Sequence, residues 1–168
     1  KPLIGVNHLV GHALTPRLTD SLEYPYLILI ASGGHCQYLI VQSPSNFTRL
    51  GGTIDDAPGE AFDKTAKILG LEYPGGPAIE RQALNGDPFA FNLPLPLIKE
   101  ENCNLSFSGL KTAVKRKVDK LLTQDNPLTD KNINDLCASF QNTMVNIFVA
   151  KTKKAMSIFK FYYPDIPP

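Results

Sequence analysis

The chain has 168 residues, 43% hydrophobic and 20% charged, which is enough apolar material for a core and excludes a disordered polymer. With 17 Lys and Arg against 16 Asp and Glu, the formal charge is +1, so a polyanion could be met only by a local patch. The longest unbroken aliphatic run, Leu27–Ala31, is far shorter than the roughly 20 residues that span a bilayer, no secretory signal opens the chain, and Cys36, Cys103 and Cys137 form no CxxC pair. A cytoplasmic globular protein with no membrane association and no cysteine metal site is expected.

In chain order, Leu3–Val6 reads as the end of a short buried strand. Asn7 offers an N-cap for a helix from His8 to about Leu18, kinked or ended near Pro16. Tyr26–Ala31 and His35–Val41 read as a hairpin about the Ser32-Gly33-Gly34 turn, and a further short strand covers Phe47–Leu50. A helix is expected from about Ala57 to Leu69, with Phe62, Ala66 and Leu69 on one face and Gly70 at its C-terminus. Pro77 opens another helix that Asn85-Gly86 closes, and residues 87–104 read as loop. Ser108 is expected to cap a helix to about Leu122 with the stripe Leu110, Val114, Val118 and Leu121. The final helix, from Asn132 to about Phe159, carries the clearest period, through Leu136, Phe140, Met144 and Ile147. This order implies an α+β or α/β protein. Lys1 at the start and Tyr163–Pro168 directly after the last helix look like cut ends, so a segment of a longer protein is expected.

Several residues could do chemistry. His8 and His12, four apart, share a helix face and could ligate one metal ion, or they are ordinary helix histidines. Position 9 is Leu9, so the HExxH general base of a metalloprotease is missing, and two imidazoles still need a carboxylate from elsewhere. Gly33 and Gly34 would let backbone N–H groups approach a phosphate or carboxylate, or they make a plain hairpin turn. Asp56 and Glu60 fit stabilisation by a helix dipole; Asp63, further in, is less well explained that way and could accept ribose hydroxyls. The Pro74-Gly75-Gly76-Pro77 loop places a helix N-terminus behind glycines, where a nucleotide backbone could approach. Residues 108–122 carry a net charge of +4, either a solvated face or a phosphate contact. The apolar stripe pushes Lys115, Arg116 and Lys120 toward solvent, where they are the candidates for such a phosphate contact.

Five motifs in order, Asn7-His8-Leu9-Val10-Gly11-His12, Ser32-Gly33-Gly34-His35, Ile54 to Lys64, Tyr73-Pro74-Gly75-Gly76-Pro77 and Ser106 to Thr112, resemble the tRNA adenosine threonylcarbamoyltransferase family, also known in the past as O-sialoglycoprotein endopeptidase. His35 and Gly59-Glu60-Ala61-Phe62-Asp63-Lys64 are similar to its bacterial and organellar branch. The resemblance implies an α/β, actin/Hsp70/sugar-kinase-like fold of two RNase H-like lobes about a nucleotide cleft. Residues 1–25 would end the first lobe and residues 26–168 form the main part of the second. It implies transfer of a threonylcarbamoyl group from threonylcarbamoyl-AMP to N6 of the adenosine beside the tRNA anticodon. His8 and His12 match the family's metal histidines, for one divalent ion (iron or zinc). Ile30, Ala31, Ser32, Gly33 and Gly34 match its segment around the adenylate and metal, Asp63 and Gly76 its nucleoside contacts, and Glu80 a further polar contact. Implied partners are tRNA, an inactive paralogue and an ATPase.

The departures are Cys36 where Thr is common, Pro58 at a variable position and Glu80 where some members have Asp. The family's N-terminal phosphate-handling lobe and a C-terminal segment carrying an Asn nucleotide contact and an Asp metal ligand are not in this sequence, so the chain alone is expected to be inactive. A non-catalytic module of the same fold, binding a nucleotide or a partner lobe, is the rival reading; metalloprotease chemistry is disfavoured by Leu9.

Overall fold

Alternating side chains send β1 (Tyr26–Ala31) and β2 (Cys36–Ser43) to two cores at once. The strands pair antiparallel, Tyr26 opposite Val41 through Ala31 opposite Cys36, and β3 (Asn46–Gly52) adds antiparallel to β2, giving the order β1-β2-β3. Tyr26, Ile30, Leu39 and Val41 leave one face and close over Ala13. Cys36 and Tyr38, with Leu27 and Leu29, leave the other and join the main core. The computed structural model describes residues 2, 3, 5–122 and 127–168. Among them the architecture is mixed α/β with an antiparallel sheet, and the parallel pairing is a single bridge between Thr53 and Leu105.

Helix α1 (His8–Leu14) starts at Asn7 as expected, the Asn7 side chain accepting the Leu9 and Val10 N–H groups at 2.9 and 3.3 Å. It stops at Thr15, and α2 (Pro16–Thr19) follows with proline in its first turn. Among the described residues of Leu3–Val6 the expected strand is not formed. Leu3 and Val6 are exposed and lie outside any strand, and Ile4 falls outside the described residues. Such a short apolar run with no strand beside it has no ladder to satisfy its backbone.

Helix α6 (Asp130–Tyr162) packs on the sheet's other face, and α3 (Pro58–Ile68), α4 (Gly75–Ala83) and α5 (Ser108–Leu121) complete that core around it. Helix α4 begins two residues before Pro77, because Gly75 finds a capping partner in Asp63. The α5 stripe Leu110, Val114 and Val118 is buried, as are Leu136, Phe140, Met144 and Ile147 of α6. Phe62 of α3 meets Phe140 of α6 edge-on at 5.0 Å between ring centres. Tyr38 crosses from the sheet to α6, its fully buried hydroxyl 2.9 Å from the Thr152 hydroxyl. No helix among the described residues is long and apolar enough to cross a membrane.

The loop from Asn85 to Asn104 is lashed to α6 by polar side chains. Buried Asp135 accepts the Asp87 N–H at 2.9 Å, and Ser139 accepts the Phe91 N–H at 3.1 Å. Lys151, almost wholly buried, donates to the carbonyls of Glu100 and Asn102 at 3.1 and 2.8 Å. Burial pushes its pKa below the ordinary lysine value. At the loop's start, a Cβ on Gly86 would stand 2.0 Å from the Asn134 carbonyl oxygen, so only glycine permits this approach. Gly86→Ala should therefore destabilise the protein by about 1–3 kcal/mol through overpacking, read as a lower urea midpoint. An unchanged midpoint would show that the loop is not held against α6.

Candidate functional site

The Nε2 atoms of His8 and His12 lie 3.1 Å apart, and both rings are exposed. That spacing lets both nitrogens reach a common ion at about 2.1 Å, so the pair fits two of the ligands of a metal such as zinc. No cluster of three or more His, Cys, Asp or Glu that could hold a metal occurs among the described residues. The helix is set on the sheet by Tyr26, whose hydroxyl donates to the Ala13 carbonyl at 2.7 Å with both residues buried. Burial raises the Tyr26 pKa, so the hydroxyl stays a donor. His12 consequently borders a cavity of about 200 Å3 whose other walls include Ile30, Ala31 and Ser32.

The turn beyond β1 is closed by Ser32. Its N–H donates to the His35 carbonyl at 2.8 Å, and its hydroxyl accepts the His35 N–H at 3.1 Å. Among the described residues, neither the Gly33 nor the Gly34 N–H has a protein acceptor, and both residues are exposed. The first turn of α3 sits directly against this turn. A Cβ on Gly59 would stand 2.7 Å from the Gly33 Cα, which makes glycine at 59 a steric requirement of the contact. About 6 Å further along α3, Asp63 accepts the Gly75 N–H through Oδ1 at 2.8 Å. Asp63 and Gly75 line a cavity of about 310 Å3. Gly76 follows in the first turn of α4, and Glu80, exposed, stands four residues on, on the same helix face.

Two consecutive acids knit this site to α5. Asp55 accepts the Ser106 hydroxyl at 2.5 Å, the Phe107 N–H at 2.8 Å, the Ser108 N–H at 3.3 Å and the Ser108 hydroxyl at 2.9 Å. The expected cap, Ser108, is the first helical residue, and Asp55 supplies the acceptor from across the chain. Burial alone would raise the Asp55 carboxyl, but these bonds outweigh it and hold its pKa below the ordinary aspartate value. Asp56 takes Lys64 at 2.8 Å and Lys111 at 3.4 Å, while Glu60 takes Lys64 at 2.6 Å.

The chain matches the model of the tRNA N6-adenosine threonylcarbamoyltransferase family over residues 1–163. The chain belongs to that family. Among similar proteins, the tRNA N6-adenosine threonylcarbamoyltransferase of Ruegeria sp. (strain TM1040) is 57% identical over 99% of this chain and 46% of its own length. That of Ruegeria pomeroyi is 59% identical, with the same coverage, and that of Jannaschia sp. (strain CCS1) is 59% identical over 94% of this chain and 44% of its own length. The chain spans about half the length of the curated relatives it matches.

Within this threonylcarbamoyltransferase-family chain, the structure brings His12 to Ile30, Ala31 and Ser32, and α3 runs from Gly33 to Asp63 and the Gly75-Gly76 turn. Lys115, Arg116 and Lys120 are exposed, as the stripe required, but they stand on a different helix, and Lys115 is bonded to Asp119 at 3.2 Å. Sequence reasoning missed Gly59 and the capping role of Asp55. The second carried no local signal, because Ser108 is itself a residue type that caps helices and Asp55 lies about fifty residues away.

Removing the Asp55 carboxylate should uncap α5 and cost about 1–2 kcal/mol near neutral pH. Its pKa is lowered in the folded state, so the stabilisation is complete above the ordinary aspartate value of 3.8 and is lost as pH falls through the folded-state value. Urea unfolding of Asp55→Ala should show a deficit that closes as the pH is taken well below 3.8. A deficit that is constant down to strong acid would exclude the charged cap.

Proposed function

We propose that the full-length protein transfers a threonylcarbamoyl group from threonylcarbamoyl-AMP to N6 of the adenosine beside the anticodon of tRNA. This chain would furnish part of its donor site. The observation that carries the reading is the shared cavity of His12 with Ile30, Ala31 and Ser32, joined through the Gly33–Gly59 contact to Asp63. Family membership supplies the chemistry that this arrangement would serve.

In this reading residues 1–25 end one lobe and residues 26–168 form the main part of a second. The lobes belong to an actin/Hsp70/sugar-kinase-like fold, which the two cores on opposite faces of the sheet support. His8 and His12 would hold one divalent ion, iron or zinc, which when bound would polarise the donor's carbonyl. The free N–H groups of Gly33 and Gly34 would orient the adenylate, with Ile30, Ala31 and Ser32 walling it from water. Asp63 keeps one oxygen on the Gly75 N–H and has the other for ribose hydroxyls. Gly76 would let the nucleoside approach, and Glu80 would contribute a polar contact on the same face. Lys115, Arg116 and Lys120 would meet tRNA phosphates, Lys115 from outside the α5 groove and by giving up its exposed Asp119 partner. The protein would work in the cytoplasm with an inactive paralogue and an ATPase. Alone, this chain would be inactive, since two imidazoles leave the ion under-ligated.

The test is transfer by the full-length protein together with its paralogue and ATPase partners, given threonylcarbamoyl-AMP and unmodified tRNA and read by mass spectrometry of the nucleosides. Absence of the modified adenosine would reject the proposal. Replacing His8 and His12 together with Ala should abolish metal retention by elemental analysis; an unchanged metal content would remove the pair from the site. Asp63→Asn preserves the Oδ1 acceptor for Gly75 but loses the charge, and should weaken nucleotide binding by about 1.5–3 kcal/mol in calorimetry. Glu60→Gln should cost less, because Glu60 serves Lys64. Equal losses would assign Asp63 to helix capping alone.

A further inference from the structure

Two grooves flank the loop of residues 88–95, and neither belongs to the donor site. The first, about 570 Å3, runs along α5 between Gly109 and Lys120; Pro94, Arg116, Lys117 and Asp119, whose charge Lys115 meets, also line it. The second, about 320 Å3, lies between the loop and α6 and is lined in part by Phe89, Phe91, Leu95, Asn142 and Asn146. Pro94 borders one groove and its neighbour Leu95 the other, so the loop is the wall between them.

That wall is preorganised. Asp135 holds the Asp87 N–H, Ser139 holds the Phe91 N–H, the Asn142 amide reaches the Pro88 carbonyl at 3.4 Å, and the Asp87 side chain accepts the Phe89 N–H at 2.8 Å. Yet Phe89, at the centre of these bonds, is 82% exposed. A loop fixed on both sides of an exposed aromatic ring offers a rigid stacking platform with little ordering cost on binding. Amides of Asn142 and Asn146 beside it supply donors and acceptors suited to the edge of a base. The cations of the first groove suit phosphates. That groove starts at Gly109, next to Ser108, whose N–H and hydroxyl are both on Asp55, so its inner end reaches the cluster joined to α3.

We propose that the 88–95 loop grips an unpaired RNA segment, with the strand's phosphates along Arg116, Lys117 and Lys120 and one splayed base on Phe89 against Asn142 and Asn146. The inference rests on the reading that the full-length protein acts on tRNA, and it names the part of the fold that would hold the RNA loop. Lys117 enters this surface and Lys115, tied to Asp119, does not line it.

The experiment measures binding of the full-length protein to an RNA hairpin with an unpaired loop, and to a fully paired RNA duplex of the same length, by fluorescence anisotropy at several salt concentrations. Phe89→Ala should weaken hairpin binding roughly 5- to 100-fold, as for loss of one stacked base, and leave duplex binding and the salt slope unchanged. Phe89→Trp should restore hairpin affinity. Arg116→Glu with Lys120→Glu should weaken both RNAs and flatten the salt slope by about 0.7–0.9 per lost contact. Hairpin affinity unchanged in Phe89→Ala, or an equal loss on the duplex, overturns the inference while leaving the tRNA reading in place. So does a loss confined to self-association in ultracentrifugation, which would assign the loop and its grooves to a second copy of the protein. Wild-type protein that binds neither RNA overturns the tRNA reading itself, and this inference with it.

Discussion

The Asp55 carboxylate is the tie on which the arrangement of the site depends. Helix α5 starts without a side-chain cap of its own, and its first N–H groups would be orphaned where Phe107 is buried. Asp55 satisfies two of them and two hydroxyls besides, and its negative charge meets the positive end of the helix. Because Asp55 lies just before α3, satisfying α5 also fixes where α3 begins. The first turn of α3 then rests on the Gly33 backbone, with Gly59 allowing the approach. Asp56 extends the same tie by drawing Lys64 and Lys111 together from two helices. A short acidic pair thereby sets the relation of a hairpin turn and two helices that are distant in sequence.

The two-faced sheet explains how a small helix can be part of a site. Helix α1 has seven residues, of which only Ala13 is buried, and a helix of that length is not stable alone in water. It owes its place to the Tyr26 side chain, which covers Ala13 and donates to its carbonyl. Arg17 lies over the Tyr24 ring at 4.0 Å, and Tyr24 stacks on Tyr26 at 5.7 Å, so α2 is held to the same strand. The residues that turn His12 toward Ala31 are thus aromatic ones in and beside β1, and the precision of the histidine pair follows from packing on the sheet.

Much of this was legible in the sequence. The apolar run Tyr26–Ala31 marks β1 to the residue, the α5 and α6 stripes mark their buried faces, and Pro16 marks the break after α1. These signals are local, and local periodicity reports them well. Three features were not legible for one reason: their partners lie about fifty residues away. Asp55 finds Phe107 and Ser108, Asp135 finds Asp87, and Lys151 finds Glu100 and Asn102. No spacing rule encodes such pairings, so the 87–104 region reads as loop when it is a strap fastened to α6. Leu3–Val6 failed in the opposite sense, because an apolar run signals a strand only where another strand stands beside it. The family motifs brought the candidate site to Asp63, yet its bond to Gly75 is visible only in the fold. That bond engages one oxygen of the carboxylate, Oδ1.

Helix α5 shows why a charge count could not assign its role. Its five cations divide by position in the helix turn and by partner. Lys111, in the first turn, is directed to Asp56 and is partly buried, so it belongs to the framework that orders the site. Lys115 is committed to Asp119 along the surface, an exposed pair of small energetic weight. Arg116, Lys117 and Lys120 remain with the groove beside Pro94. The apolar stripe imposes this division: Leu110, Val114 and Val118 fix the rotation of the helix, and each cation's angle from that stripe sets whether it faces a carboxylate or a groove. One amphipathic period therefore distributes like charges among a framework carboxylate, a surface pair and an open groove.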